Sequence, residues 1–313
     1  MPGSSLALLS PRYWPTWLGL ALLRALAPLP YRVQLAIGRV LGAIFRRVPI
    51  GSVRIVRRNL ELCMPELGAR ERETLVARHF ESLGIGVVET ALAWWASDER
   101  ILELARIEGL EHLEAALARG RGAILLSAHF TTLEIGARAI TATRPVNIMY
   151  RPSKDALLTE FLSRNRARRS RRAIPRDDVR TLIAALKANE PVWYAPDQSY
   201  RKKGAEMVRL FGIPAATNTA TSRLARLTGA AVLPYFPERL PDARGYRILI
   251  LPALEDFPSD SPVADAEHFN RLIEAQVRRV PEQYLWIHRR FKGLTPDYPD
   301  YYARSARRLK AEG

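Results

Sequence analysis

The sequence predicts an α/β fold, a mainly parallel mixed sheet flanked by helices, preceded by a hydrophobic helical segment. Three observations carry this expectation. Beyond Gly120, apolar runs of strand length alternate with amphipathic runs of helical length, the pattern of a sheet covered by crossover helices. From Ser52 to Trp95 the apolar spacing is helical instead. No Gly/Ser-rich linker separates these regions, which predicts a membrane-anchoring segment at 1–50 and one α/β domain at 51–313.

In chain order, the stretch from Tyr13 to Phe45 is rich in Leu, Ala, Trp and Ile, and Pro28 and Pro30 divide it into two helical pieces. Arg24, Arg32 and Arg39 interrupt it, so no uncharged run reaches the roughly 18 to 20 residues of a spanning helix. Tyr13, Trp14, Trp17 and Tyr31 are aromatics suited to a headgroup boundary, and Arg46, Arg47, Arg54, Arg57 and Arg58 form a basic flank expected on the cytoplasmic side. The reading is a membrane anchor or in-plane helix, with a buried amphipathic hairpin as its alternative. No small-residue cleavage pattern marks a removable signal peptide. Strands are expected at Ala123–Ser127, Val146–Tyr150, Val192–Ala195, Ala231–Phe236 and Tyr246–Leu251. Helices are expected at Thr132–Ile140, Asp155–Arg168, Asp178–Ala188, Thr219–Leu227 and Ala264–Val280.

Composition narrows the function classes. A formal charge of +16 and a pI near 10.5 call for an anionic partner: nucleic acid, acidic lipid headgroups or an acidic carrier protein. Cys63 is the only cysteine, so no intrachain disulfide or cysteine-based zinc site can form. The five histidines show no metal-ligand spacing, and no metal is expected.

The residues that could do chemistry begin with Ser127-Ala-His129-Phe-Thr-Thr-Leu-Glu134, at a strand-to-helix junction. At about 100° per residue, positions five apart on one helix lie roughly 140° from each other. His129 and Glu134 therefore meet only if His129 sits in the turn before the helix. There, a carboxylate would fix the imidazole tautomer and leave the other ring nitrogen free to take a proton from an attacking hydroxyl. Thr131-Thr-Leu-Glu134 also fits a capping box, in which Glu134 returns to a backbone amide, and the spacing alone leaves both readings open.

Further along, six arginines fall between Arg166 and Arg176, which is either a phosphate-binding patch or a solvated face. The arginines carry no interleaved aromatics, unlike a single-strand nucleic-acid platform, and no nucleic-acid recognition motif is present. Asp197 ends the apolar run Pro191–Ala195, where ligand sites gather in α/β sheets; capping the next turn is its alternative. Phe211–Thr219 reads as a small-residue loop for a phosphate or thioester arm, or simply as a helix start. Pro281–Lys292 reads as a short helix, with Tyr284, Leu285 and Trp286 packed inward.

Taken in order, these segments resemble the late-acting acyltransferases of lipid A assembly, of lauroyl type, from Pro11 to about Lys292. The resemblance rests on Arg58-Asn-Leu-Glu-Leu-Cys63, His79-Phe-Glu-Ser-Leu-Gly84, Glu89-Thr-Ala-Leu-Ala-Trp-Trp95, His129-Phe-Thr-Thr-Leu-Glu134, Tyr150-Arg-Pro152, Trp193-Tyr-Ala-Pro-Asp-Gln198, Pro214-Ala-Ala-Thr217 and Pro281–Lys292. It implies a glycerolipid acyltransferase-like fold at the cytoplasmic face of the inner membrane. The implied reaction moves a fatty acyl group from acyl carrier protein, a co-substrate and partner, to a hydroxyl of a 3-hydroxyacyl chain on a phosphorylated Kdo-lipid A precursor. No cofactor is implied. The family's histidine-and-acid motif maps onto His129 and Glu134, and its further arginine and aspartate onto Arg166 and Asp197. Arg151 and Arg164 are expected among the substrate-binding residues. Ser199-Tyr-Arg-Lys-Lys-Gly204 departs from the family pattern, which has an acidic residue followed by Tyr-Gly, by adding three cations. Arg209 also stands where an apolar residue or proline is usual. The expected mechanism has His129, held by Glu134, as general base, with Asp197 orienting Arg166 or the acceptor. The competing readings are an acyltransferase for another glycolipid or a lysophospholipid, using acyl-CoA as donor, and a non-catalytic basic membrane-binding protein.

Overall fold

A computed structural model describes residues 5–48 and 52–303. The expected division at 50–51 falls outside the described residues. Two helices, α1 (Trp14–Leu26) and α2 (Tyr31–Arg47), flank the Pro28–Pro30 break and are followed by α3 (Ser52–Cys63), α4 (Ala69–Trp95) and α5 (Asp98–Leu104). The remainder alternates: β1 (Ala105–Glu108), α6 (Leu110–Ala118), β2 (Ala123–Leu126), α7 (Leu133–Thr143), β3 (Asn147–Tyr150), α8 (Ala156–Arg169), β4 (Arg172–Pro175), α9 (Val179–Lys187) and β5 (Pro191–Tyr194). A hairpin of β6 (Ala205–Leu210) and β7 (Ile213–Asn218) then precedes α10 (Ala220–Thr228), β8 (Ala231–Arg239), β9 (Tyr246–Ile250) and α11 (Pro262–Arg279).

Seven strands form one sheet in the order β1-β9-β8-β2-β5-β3-β4, with the β8–β9 pairing antiparallel and the other pairings parallel. Residues alternate along each strand between two cores. On β2, Ile124 and Leu126 join one core with Leu182, Leu224 and Phe269, while Ala123 and Leu125 join the other with Ile135, Ala139 and Ile85. Thus α7 lies on one layer, and α9, α10 and α11 lie on the opposite layer. Right-handed crossover explains this division, because β2→β3 and β3→β4 step one way along the sheet while β4→β5 and β5→β8 step back. The connections leaving the neighbouring strands β2 and β5 therefore go to opposite layers. Their carboxyl ends frame a topological switch point, where α/β sheets place ligands.

All five expected strands and all five expected helices are present, each within a few residues of its predicted bounds. Four strands are additional. The edge strand β4 lies within the arginine run and offers only one core residue, Ile174, and β1 pairs at the opposite edge of the sheet. The segment 211–219, expected as a ligand loop or helix start, is mostly β7. The hairpin turns at Phe211 (φ 52°) and Gly212 (φ 75°), the two positive φ values that a type I′ turn needs.

Pro281–Lys292 is a second correction, because only Pro281–Gln283 makes a helical turn. Beyond it the backbone bonds to the His129 loop rather than to itself: Thr131 N–H donates to the Gln283 carbonyl at 2.7 Å and Leu285 N–H to the His129 carbonyl at 3.0 Å. Tyr284 and Trp286 are buried as expected, with Phe291 and Arg290. His79 on α4 fixes the start of this segment, its Nδ1–H donating to the Glu282 carbonyl at 3.1 Å. His79 is fully buried with Nε2 unpartnered, and burial pushes its pKa down to about 4 despite that bond. The unfolded chain takes up this proton near pH 6.5 and the folded protein only near pH 4, so stability falls as pH drops through that window. The loss should approach about 3 kcal/mol by pH 4. Urea titrations between pH 7 and 4.5 should show a shallower decline for His79→Leu than for the wild type, although the variant starts lower; parallel slopes would remove His79 from the account.

The N-terminal segment also differs in part from expectation. No helix among the described residues is long and apolar enough to cross a membrane. Tyr13 and Tyr31 are buried rather than at a surface. Gly38 and Gly42 of α2 meet Gly84 of α4 so closely that any Cβ would collide with backbone. That contact turns Val33, Val40 and Ile44 outward, as Trp14, Leu18 and Leu22 point outward from α1 at helical spacing. The α1–α2 pair therefore packs one side on the domain and leaves an apolar side exposed. Thr16 of α1 bonds Asp155, the N-cap of α8, at 2.5 Å and ties this pair to the rim of the sheet.

Candidate active site

His129 and Asp197 face each other across the switch point, and the register of the sheet explains why. In the β2–β5 pairing Leu126 lies opposite Tyr194. The ladder continues with Ser127 N–H donating to the Tyr194 carbonyl at 2.8 Å. His129 and Asp197 each stand three residues beyond the matched pair, so the two chains deliver them to the same place. Asp197 Oδ1 lies 2.6 Å from His129 Nδ1, and Oδ2 accepts the His129 backbone N–H at 3.0 Å. Tyr284 Oη donates to the same Oδ2 at 3.3 Å. An ionised carboxylate only accepts, so Nδ1 carries the proton and Nε2 is left with its lone pair.

The electrostatics reinforce that state. Burial would lower the His129 pKa, but the charge and hydrogen bond of Asp197 outweigh it and hold the imidazole above its ordinary value. Burial would raise Asp197, yet His129, the backbone N–H and the cation Arg290 keep its carboxyl below the usual range. The His129 side chain is 27% exposed and the Asp197 side chain 3%, which leaves the imidazole as the accessible end of the pair. Cys63 lines the same small pocket, but burial pushes its thiol well above the ordinary value, so it offers no thiolate nucleophile. His288 is also kept neutral, its pKa driven down to about 4 by burial, with Nε2 accepting the Ser199 N–H at 3.0 Å.

Glu134 makes no hydrogen bond or ion pair with His129. Its Oε1 binds Arg166 at 2.9 Å and its Oε2 lies 3.4 Å from the Trp94 indole nitrogen. The capping box is not formed either: Thr132 is the N-cap and makes no side-chain cap, its hydroxyl donating instead to the Pro237 carbonyl. The physical reason is position, since Glu134 begins α7 on one layer while the strand ends bring Asp197 to the imidazole. Arg166 reaches Glu134 from α8 and lies 5.0 Å over the Tyr150 ring at the end of β3. Asp197, expected beside Arg166 or the acceptor, orients the imidazole. Tyr284, read from sequence as packing, also bonds the Asp197 carboxylate; nothing in a linear pattern distinguishes such a tyrosine from a core one.

Most arginines of the run have a partner within the fold, although the six share only three carboxylates. Arg169 donates to the Ala96 carbonyl, Arg171 and Arg172 face Glu190, Arg176 lies near Asp177 and Arg166 binds Glu134. Arg164 is exposed and paired with Glu160 at 2.6 Å, and Arg151 is exposed after β3. Among the described residues, neither makes a hydrogen bond or ion pair with His129. Among the described residues, no group of three or more His, Cys, Asp or Glu is placed to hold a metal ion.

A histidine whose Nδ1 is held by a buried carboxylate at the carboxyl edge of an α/β sheet, with Glu134 at the start of α7 holding Arg166 from the last turn of α8, is an arrangement suited to acyl transfer. Comparison with known proteins specifies the class. The family model described as bacterial lipid A biosynthesis acyltransferase matches residues 1–293, and the chain belongs to that family of O-acyltransferases. It is 40% identical over 303 residues to the lipid A biosynthesis lauroyltransferase of Escherichia coli K12, covering 96% of this chain and 99% of that protein. The lipid A biosynthesis palmitoleoyltransferase of the same organism is 41% identical over 285 residues, covering 91% and 93% of the two chains. A lipid A biosynthesis acyltransferase of Haemophilus influenzae is 36% identical over 288 residues, covering 91% and 92%.

Proposed function

We propose that this enzyme transfers a fatty acyl group from acyl carrier protein to the hydroxyl of a 3-hydroxyacyl chain on a Kdo-lipid A precursor, at the cytoplasmic face of the inner membrane. The observation that carries the chemistry is the free Nε2 of His129, fixed by Asp197 at the switch point. The acceptor hydroxyl gives its proton to Nε2 as its oxygen attacks the thioester carbonyl. The C–S bond then breaks, the ester C–O bond remains, and the imidazolium returns the proton to the leaving thiolate. Buried Asp197 stabilises the imidazolium that forms between these steps. Arg166, locked by Glu134 and Tyr150, supplies positive charge for the oxyanion or an acceptor phosphate. Two features support a membrane surface as the workplace: the exposed apolar sides of α1 and α2, and the arginines Arg32, Arg39, Arg46 and Arg47 that accompany them.

The test is mass spectrometry of lipid A from cells with and without this protein, complemented by wild type or by His129→Ala. Wild type should add one acyl chain whose mass reports its length, and the variant should add none. Lipid A of unchanged mass in all strains would reject this acceptor in favour of another glycolipid.

A further inference from the structure

The arginines of α8 and β4 largely meet carboxylates or carbonyls, as described above. By contrast, Arg201, Lys202 and Lys203 are exposed and, among the described residues, enter no ion pair. Their backbone is nevertheless pinned. Ser199 N–H donates to His288 Nε2 and Tyr200 N–H to the Ala216 carbonyl at 3.1 Å. Ala205 N–H closes the turn on the Lys202 carbonyl at 3.0 Å, and Thr219 Oγ1 donates to the Gly204 carbonyl at 3.1 Å. Gly204 takes a φ of +82°, the left-handed conformation that glycine adopts without strain, close to the exposed Arg223 guanidinium of α10. The result is a fixed cationic turn.

Its location is specific. Arg201, Lys202 and Lys203 stand four to six residues after Asp197, so their backbone lies within at most about 22 Å of that of Asp197. Gly204 is tied to α10, on the layer opposite α7. The exposed apolar helix α1 is tied through Thr16 and Asp155 to α8, on the layer of α7. A bilayer engaging α1 and α2 therefore approaches from one side of the sheet and leaves the turn on the other.

We propose that the Arg201–Lys203 turn, with Arg223, is the docking surface for an acidic carrier protein, which presents its thioester arm to His129 from the layer opposite the membrane-facing helices. This rests on the proposed carrier-protein donor. Complementary charge would raise the encounter rate and set the carrier's orientation while leaving the chemical step to His129.

The experiment compares the full-length wild type with an Arg201→Glu, Lys202→Glu, Lys203→Glu triple variant in neutral detergent. Two quantities are read: binding of holo-acyl carrier protein by fluorescence anisotropy across a salt series, and turnover with a truncated donor, an acyl N-acetylcysteamine thioester. The wild type should bind the carrier with a strong salt dependence. The triple variant should bind about tenfold or more weakly with that dependence flattened, and should use the truncated donor within twofold of wild type. Unchanged carrier binding in the variant overturns the docking surface while leaving the donor reading intact. An equal loss with the truncated donor would make the turn structural and also overturns it. A wild type that binds no carrier and accepts acyl-CoA instead rejects the donor reading itself.

Discussion

Replacing Asp197 with asparagine is expected to lower turnover by about 10³- to 10⁴-fold with the fold intact, because it reverses the imidazole tautomer. The His129 backbone N–H always needs an acceptor, and it takes the side-chain oxygen now at Oδ2. The asparagine NH₂ then occupies the position of Oδ1, 2.6 Å from Nδ1, and forces that nitrogen to accept. The proton moves to Nε2, where the base must be free. An exchange of this kind in a His–Asp pair of an acyl-transfer enzyme costs about 10⁴-fold. The imidazole ¹⁵N shifts should report Nε2 protonation in the variant and Nδ1 protonation in the wild type. Activity within tenfold of wild type would show that Asp197 does not set the tautomer.

The pH profile follows from the same pair. The base must be neutral, so kcat/KM should fall as pH drops through the His129 pKa, which burial lowers and Asp197 raises to a net position above the ordinary imidazole value. Without the carboxylate charge, burial alone remains, and the acid limb of whatever activity survives should move to lower pH. The linkage has the opposite appearance in stability. A raised histidine pKa contributes stability below the unfolded value near 6.5, and that contribution is lost as pH rises through the folded pKa. The depressed Asp197 contributes above about 3.8, and that contribution is lost as pH falls through its folded pKa. The charged pair is thus most stabilising in mildly acidic solution, where activity through a neutral His129 base is expected to be low.

The sheet was legible because period and length differ between strand and helix, and each apolar run such as Ala-Ile-Leu-Leu126 or Pro-Val-Trp-Tyr194 is bounded by turn residues. The strands missed by that reasoning lack the signal for physical reasons. β4 is a short edge strand, Arg172-Ala-Ile-Pro, with one buried residue, and β6 carries Glu206 and Arg209 toward solvent. In the site, the individual residues were visible and their partnership was not. The motif put His129 and Glu134 five positions apart, which suggested a local pair. The actual neighbour of His129 lies 68 residues away in sequence and arrives through strand register. Register is a property of two segments, and a single segment's pattern does not contain it. Had β2 and β5 been aligned as adjacent parallel strands by their equal distance from Leu126 and Tyr194, Asp197 would have fallen opposite His129.

That distinction sets the second large effect, a comparison of His129→Ala alone and in combination. Removing the general base should cost at least about a hundredfold in turnover, and up to 10⁴-fold if the Asp197-held imidazole carries both proton transfers. Residues that act as one unit are strongly non-additive. Adding Asp197→Asn to His129→Ala should therefore cost little further, since the aspartate then has no imidazole to orient. Glu134 binds Arg166 instead, so adding Glu134→Ala to His129→Ala should multiply the two single losses to within a few-fold. Initial-rate measurements on the three single and two double variants, with circular dichroism to confirm intact fold, decide the wiring of the site. Strong coupling between 129 and 134, with independence of 129 and 197, would return the orienting role to the glutamate and would require the start of α7 to rearrange when substrate binds.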